Sequence, residues 1–153
     1  MSKPQLTRIE VLEGKGRLVP ATASLTVSKT LHEDKIIVLR AAAGLTATLP
    51  ASAGTGDIYR FVVDTSVTSN NYIIKVANST DIMGGVATMG SSGGTSASVG
   101  TAATSDTITM NGSTSAGLRG TYVELTDVAT GLWQVSMHGV ASGIAVTPFS
   151  ATV

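Results

Sequence analysis

Short apolar and β-branched runs, each closed within a few positions by a turn signal, constrain this chain more than any other feature. Lys35-Ile36-Ile37-Val38-Leu39-Arg40 is an apolar run bounded by charges. Leu45-Thr46-Ala47-Thr48-Leu49 alternates and stops at Pro50, which has no N–H to give to a ladder. Ile58 to Val63 follows the glycine-rich Ala53-Gly54-Thr55-Gly56-Asp57, and Tyr72 to Val76 follows Asn70-Asn71. Thr121 to Leu125 and Leu132 to Met137 flank a turn between Asp127 and Gly131, which predicts a hairpin. Ile144 to Thr147, ahead of Pro148, predicts the last strand. No segment keeps a helical period beyond Leu31 to Lys35, which is too short to hold alone. Runs of this kind with turns at intervals of about 8–12 residues predict an all-β, single-domain antiparallel β-sandwich, jelly-roll-like in its connections. The abundance of Thr and Val agrees, because β-branched side chains pack well on a pleated surface.

Two stretches depart from that pattern. Seven of the ten basic residues fall between Met1 and Arg40, against four acids. Within that stretch Leu6-Thr7-Arg8-Ile9-Glu10-Val11-Leu12 alternates with a period of two and breaks at Gly14-Lys15-Gly16. It reads equally as an edge strand of the same domain or as an extended arm laid on a partner. The expected division is therefore an N-terminal arm at 1–19 and a sandwich domain at 20–153. The second departure is residues 84–117, rich in Gly, Ser, Thr and Ala, with Asp106 as its one charge before Arg119. Asp106 to Met110 has a strand pattern ahead of the turn Asn111-Gly112, and the remainder reads as long loops. Loops so poor in charge suit close packing against a neighbouring subunit, or are simply surface loops.

The search for chemistry returns little. Nucleophilic catalysis needs a base beside a Ser or Thr, and the two histidines are His32, in a polar His-Glu-Asp-Lys turn, and His138, at a strand end beside Gly139. Both read as surface or strand-end residues, and no Gly-x-Ser-x-Gly elbow surrounds a serine. With no cysteine, thiolate metal sites, disulfides and Cys nucleophiles are excluded. Glu33-Asp34 is the one adjacent acidic pair, and neither zinc-ligand spacing nor an Asp-x-Asp calcium loop occurs. Gly14-Lys15-Gly16 and Gly54-Thr55-Gly56 lack the rest of any phosphate-binding motif. Trp133, in an alternating strand, reads as a core anchor and not as a sugar platform. Ten basic residues balance ten acidic ones, so no net field favours nucleic acid or an anionic membrane. No run approaches the roughly 20 apolar residues of a membrane span, and Met1-Ser2-Lys3-Pro4 lacks the apolar core of a signal peptide. The expectation is a soluble protein made and used without secretion. It is expected not to be an enzyme, with no catalytic residues, cofactor, metal or small-molecule substrate.

Four segments carry a resemblance: Ala41 to Pro50, Tyr59 to Val63, Thr68 to Val76, and Tyr122 to Asp127 with Trp133-Gln134-Val135. Together they resemble the capsid decoration (cement) proteins of tailed phages, over roughly residues 18–153, although similar patterns occur in tail-fibre modules. The resemblance implies a structural protein that sits as a homotrimer on the outer capsid surface, made in the host bacterial cytoplasm and carried on the virion. It implies contact with several copies of the major capsid protein, with no nucleic-acid or membrane partner. On that reading the arm engages the capsid, with strand addition as the candidate mode and Arg8, Ile9 and Val11 weighing most. The alternative is a tail-fibre or receptor-binding module whose loops near 90–105 contact the host surface.

Overall fold

The computed structural model describes residues 17–153; Arg8, Ile9 and Val11 lie outside the described residues. The chain is all-β, as expected. Its first part winds back and forth between two sheets. β1 (Leu18–Ala21), β3 (Ile36–Leu39) and β5 (Ile58–Val63) lie side by side in one sheet. β2 (Leu25–Thr26), β4 (Leu45–Thr48) and β6 (Tyr72–Lys75) lie side by side in the other. Consecutive strands therefore sit in opposite layers, and neighbours within each layer run parallel: Leu18 pairs with Ile36, Ile36 with Arg60, Leu25 with Ala47, and Leu45 with Tyr72. Parallel neighbours need a long crossover, and here the crossover passes through the facing sheet. A one-turn helix, α1 (Lys29–His32), bridges β2 and β3.

The remaining strands complete both layers. β7 (Ile82–Ser92), β8 (Ala97–Gly100), β10 (Tyr122–Ala129) and β11 (Leu132–Ser142) extend the first sheet to the order β1-β3-β5-β10-β11-β7-β8. β9 (Thr107–Met110) and β12 (Phe149–Ser150) extend the second to β12-β9-β6-β4-β2. β10 and β11 form the expected hairpin, antiparallel from Tyr122–His138 to Ala129–Leu132. The sandwich is mixed where an antiparallel one was expected: five pairings are parallel and five antiparallel. β1 also begins at Leu18, so the sheet starts two residues before the expected domain boundary.

One core fills the space between the layers. From the first sheet come Ile37, Leu39, Tyr59, Phe61, Val123, Leu125, Trp133, Val135, Met137, Met83 and Met89; from the second, Leu45, Ala47, Tyr72, Ile74, Ile108 and Met110. These positions follow the period of two, so β5 buries Tyr59, Phe61 and Val63 and turns Ile58, Arg60 and Val62 outward. Trp133 is 1% exposed, the core anchor it was read as, and its ring centroid lies 5.8 Å from that of Tyr59. Burying each large side chain contributes about 1.5–3 kcal/mol, which is what holds strands only four residues long.

Three local readings are corrected. β7 runs through residues expected to be loop, and it needs glycine there: a Cβ on Gly85 would lie 1.9 Å from the Val135 carbonyl oxygen of the parallel neighbour β11. Ile144 to Thr147 is not a strand, since the N–H of Ala145 donates to the Thr95 carbonyl and that of Val146 to the Thr114 carbonyl. His32 is not on the surface. It is 5% exposed, folded back so that the Ser28 N–H donates to its Nδ1 at 3.0 Å.

Candidate interaction surfaces

The charges sort by place in the fold. Residues 17–76 carry ten charged side chains and pair several at the surface. Lys29 Nζ bonds Asp57 Oδ1 and lies 3.5 Å from Glu33; Arg40 Nε meets Asp64 at 2.9 Å. The Asp57 hydrogen bond raises the Lys29 pKa and, in return, lowers that of Asp57. Arg60 Nε donates to Glu124 Oε2 at 2.9 Å on the outer face of the first sheet, and Tyr122 Oη donates to the same oxygen at 2.9 Å.

Residues 77–153 carry five charged side chains, and three of them are buried: Asp81 at 4% exposed, Asp106 at 7% and Asp127 at 3%. Each acts as a staple. The Asp127 carboxylate accepts the N–H groups of Ala53, Gly54 and Thr55 and the Thr55 hydroxyl, at 2.8–3.2 Å, fixing the 53–55 loop to the β10–β11 hairpin. The Asp106 carboxylate accepts the Thr107 hydroxyl and the N–H groups of Thr152 and Val153, holding the chain end at 2.7–3.3 Å. Burial by itself raises the pKa of both acids, but these donors outweigh it and hold both below the usual carboxylate value. Asp81 accepts the Ser52 N–H and the Asn78 side-chain amide at 2.9 and 3.1 Å.

What is left on that half is almost free of charge. After Lys75 the charged side chains outside the buried set are Arg119 and Glu124, and Glu124 is already paired to Arg60. Among the described residues, six of the eight exposed large apolar side chains also fall there: Val86, Val128, Val140, Ile144, Val146 and Val153. On the outer face of the first sheet, Val86, Thr88, Ser136, His138 and Val140 stand exposed on β7 and β11, among small polar neighbours. His138 pairs in register with Tyr122 and Thr88, and among the described residues no carboxylate bonds it. Among the described residues, no group of three His, Asp or Glu side chains gathers closely enough to hold a metal ion. Among the described residues, no helix is long and apolar enough to cross a membrane.

The expected arm residues Arg8, Ile9 and Val11 are not placed, so the described structure brings together none of the sequence-derived site. What sequence reading missed is that the uncharged stretch after Asp81 is carried on one end of a single sheet, in β7 and β8. The signal was present as the absence of charge from Ile82 to Ser105, but it was attached to loops. No family model, curated protein or solved structure matches the chain, and these surfaces stand on their own chemistry.

Proposed function

We propose that this chain is a structural assembly protein of the capsid-decorating kind, binding the outside of a phage capsid as a homotrimer and stabilising it. The observation that carries this reading is the nearly charge-free half of the sandwich. Burying a charge without a partner costs several kcal/mol, so the centres of protein interfaces are depleted of charge and tolerate small polar and apolar side chains. A surface that keeps three of its four acids inside as staples, pairs the fourth to Arg60, and shows mainly valines, serines, threonines and glycines outside meets that condition. Three linked copies would bind a capsid through weak contacts made simultaneously, because linkage raises effective concentration. The staples at Asp81, Asp106 and Asp127 would keep the contact surface rigid, which lowers the ordering cost of binding.

The test is sedimentation with expanded, undecorated capsids of a tailed phage. The reading predicts saturable pelleting and a rise in the temperature at which the capsids release their DNA. Protein that stays in the supernatant but binds host cells moves the function to a tail-fibre or receptor-binding module, with β7 and β8 as its contact region.

A further inference from the structure

One sheet edge has nothing to blunt it. An edge strand offers unpaired N–H and C=O groups to any added strand, and proteins guard edges with proline, charge or brevity. At the β1 edge, the Ile36 N–H donates to the Arg17 carbonyl and the Arg40 N–H to the Ala21 carbonyl. Alternation therefore turns Leu18 and Pro20 outward, and Pro20 has no N–H to offer. In the other sheet, β2 and β12 are two residues each. β8 has neither proline nor charge, and at four residues it is twice as long as β2 or β12. The Thr101 N–H donates to the Gly85 carbonyl, so the main-chain groups of Ser98 and Gly100 face away from β7, and both residues are exposed. Neither charge nor proline occurs from Ile82 to Ser105. Ala97 and Val99 pack against the core, and exposed Val86 stands opposite Gly100 in register.

We propose that β8 accepts residues 6–12 of a neighbouring copy of this chain as an added strand. The alternation of Leu6 to Leu12 puts Ile9 and Val11 on one face and Arg8 and Glu10 on the other. Ile9 and Val11 then continue the core-side row of Ala97 and Val99. Arg8 and Glu10 stay in water beside Ser98 and Gly100, where no like charge opposes either. The donor has to be another copy. β1 and β8 are the two ends of the first sheet, six strand spacings apart, or roughly 29 Å at about 4.8 Å each. The five residues from Glu13 to Arg17 span at most about 18 Å. A contact that leaves from one edge and lands on the opposite edge is heterologous; such contacts form a ring where the rotation closes and a filament where it does not, and the proposal is the closed form. This assigns the arm to self-assembly and leaves the capsid to the uncharged face, and it holds whether or not the ring decorates a capsid.

The experiment is size-exclusion chromatography with light scattering on the full chain, on a chain lacking residues 1–16, and on Ser98→Pro, each with circular dichroism. Ser98→Pro removes an outward N–H and no bond to β7. The full chain should run as a closed ring of a few copies, and both variants as monomers with the β spectrum of the parent. A full chain that is monomeric overturns the proposal. So does a truncated chain that keeps the parent's oligomeric state. If that truncated oligomer also stops pelleting with capsids, the arm's acceptor is a capsid subunit and the decorating function survives. Should Ser98→Pro unfold, Ile9→Lys, outside β8, must still lower the mass to that of a monomer.

Discussion

The two halves of this sandwich use charge in opposite ways. In residues 17–76 the charged side chains other than Asp57 lie at or near the surface and several meet there, as in Arg40–Asp64, while exposed Lys29 pairs with the one buried acid, Asp57. In residues 77–153 three of the four acids are inside, each holding at least one backbone N–H group, Glu124 is paired to Arg60, and the rest of the surface is left largely to valine, serine, threonine and glycine. Exposed ion pairs contribute little to stability, because water competes for both partners. Buried carboxylates with several donors contribute much more, because removal strands the donors. The first half is thus built to face solvent. The second is held rigid from within and is uncharged without, which is what a surface to be covered by protein requires.

The largest effect that would break this comparison is a charge placed on the uncharged half. Val86→Lys or Ile144→Lys should weaken capsid binding by about 100-fold or more, since an unpaired buried charge costs about 3–5 kcal/mol. Leu31→Lys, an equally exposed apolar side chain on the first half, should leave binding unchanged. Quantitative sedimentation of the three variants checks this, and equal losses in all three would remove the distinction.

The next effect is on stability. Asp127→Ala strands three loop N–H groups and a hydroxyl and should cost about 3 kcal/mol. Arg40→Ala, which breaks the exposed pair with Asp64, should cost less than about 1 kcal/mol. Urea unfolding of both proteins provides the comparison. A cost for Arg40→Ala equal to that for Asp127→Ala would show that the surface pair does the same structural work as the staples.

Acid should separate the same groups by pH. Burial lowers the pKa of His32, with the Ser28 backbone opposing and Lys35 assisting. A histidine whose folded pKa lies below its unfolded value stabilises the protein above about pH 6.5 and loses that contribution as the pH falls toward the folded value. Asp106 and Asp127, held below the usual carboxylate value, contribute fully above about pH 4 and lose their contribution as the pH falls through their folded values. Thermal melts from pH 8 to pH 2 should therefore fall in two stages. His32→Gln should remove the first and Asp127→Asn should shrink the second.

Much of the fold was legible because it is local. Alternation and turn residues mark Ile36–Leu39, Leu45–Thr48, Ile58–Val63, Tyr72–Lys75 and the β10–β11 hairpin within a few residues of their observed bounds. Pairing direction was not legible. Whether Ile36 lies beside Leu18 in the same direction depends on a crossover through the facing sheet, and nothing in either run records it. β7 was hidden by the glycines that let its backbone approach β11, so the residues that make the pairing possible are those that read as loop. Ile144–Thr147 failed in the opposite sense. Its β-branched residues suit a strand, but its backbone is spent on Thr95 and Thr114. His32 was misread because its burial comes from a one-turn helix that no periodicity could announce. For the candidate surface, the missing charge could be counted in the sequence, but its location on two adjacent strands of one sheet could not.

The smallest effect concerns the interior. Tyr72 Oη donates to the Thr65 carbonyl and accepts the Ala41 N–H, whereas Tyr59 Oη is buried without a partner among the described residues and its pKa is pushed up to about 12, first by burial. Tyr59→Phe should be neutral within about 0.5 kcal/mol or slightly stabilising, and Tyr72→Phe should cost about 1–2 kcal/mol. Denaturant midpoints of the two variants settle the order.

Hydrogen exchange of the protein free and bound to expanded capsids tests the central claim most directly, because it reports which half is covered. The account predicts new protection concentrated in β7, β8 and β11, with α1 and the charged positions flanking β3, Glu33 to Lys35 and Arg40, exchanging as they do in the free protein. Protection confined to residues 17–76, with β7 and β11 unchanged, would contradict it.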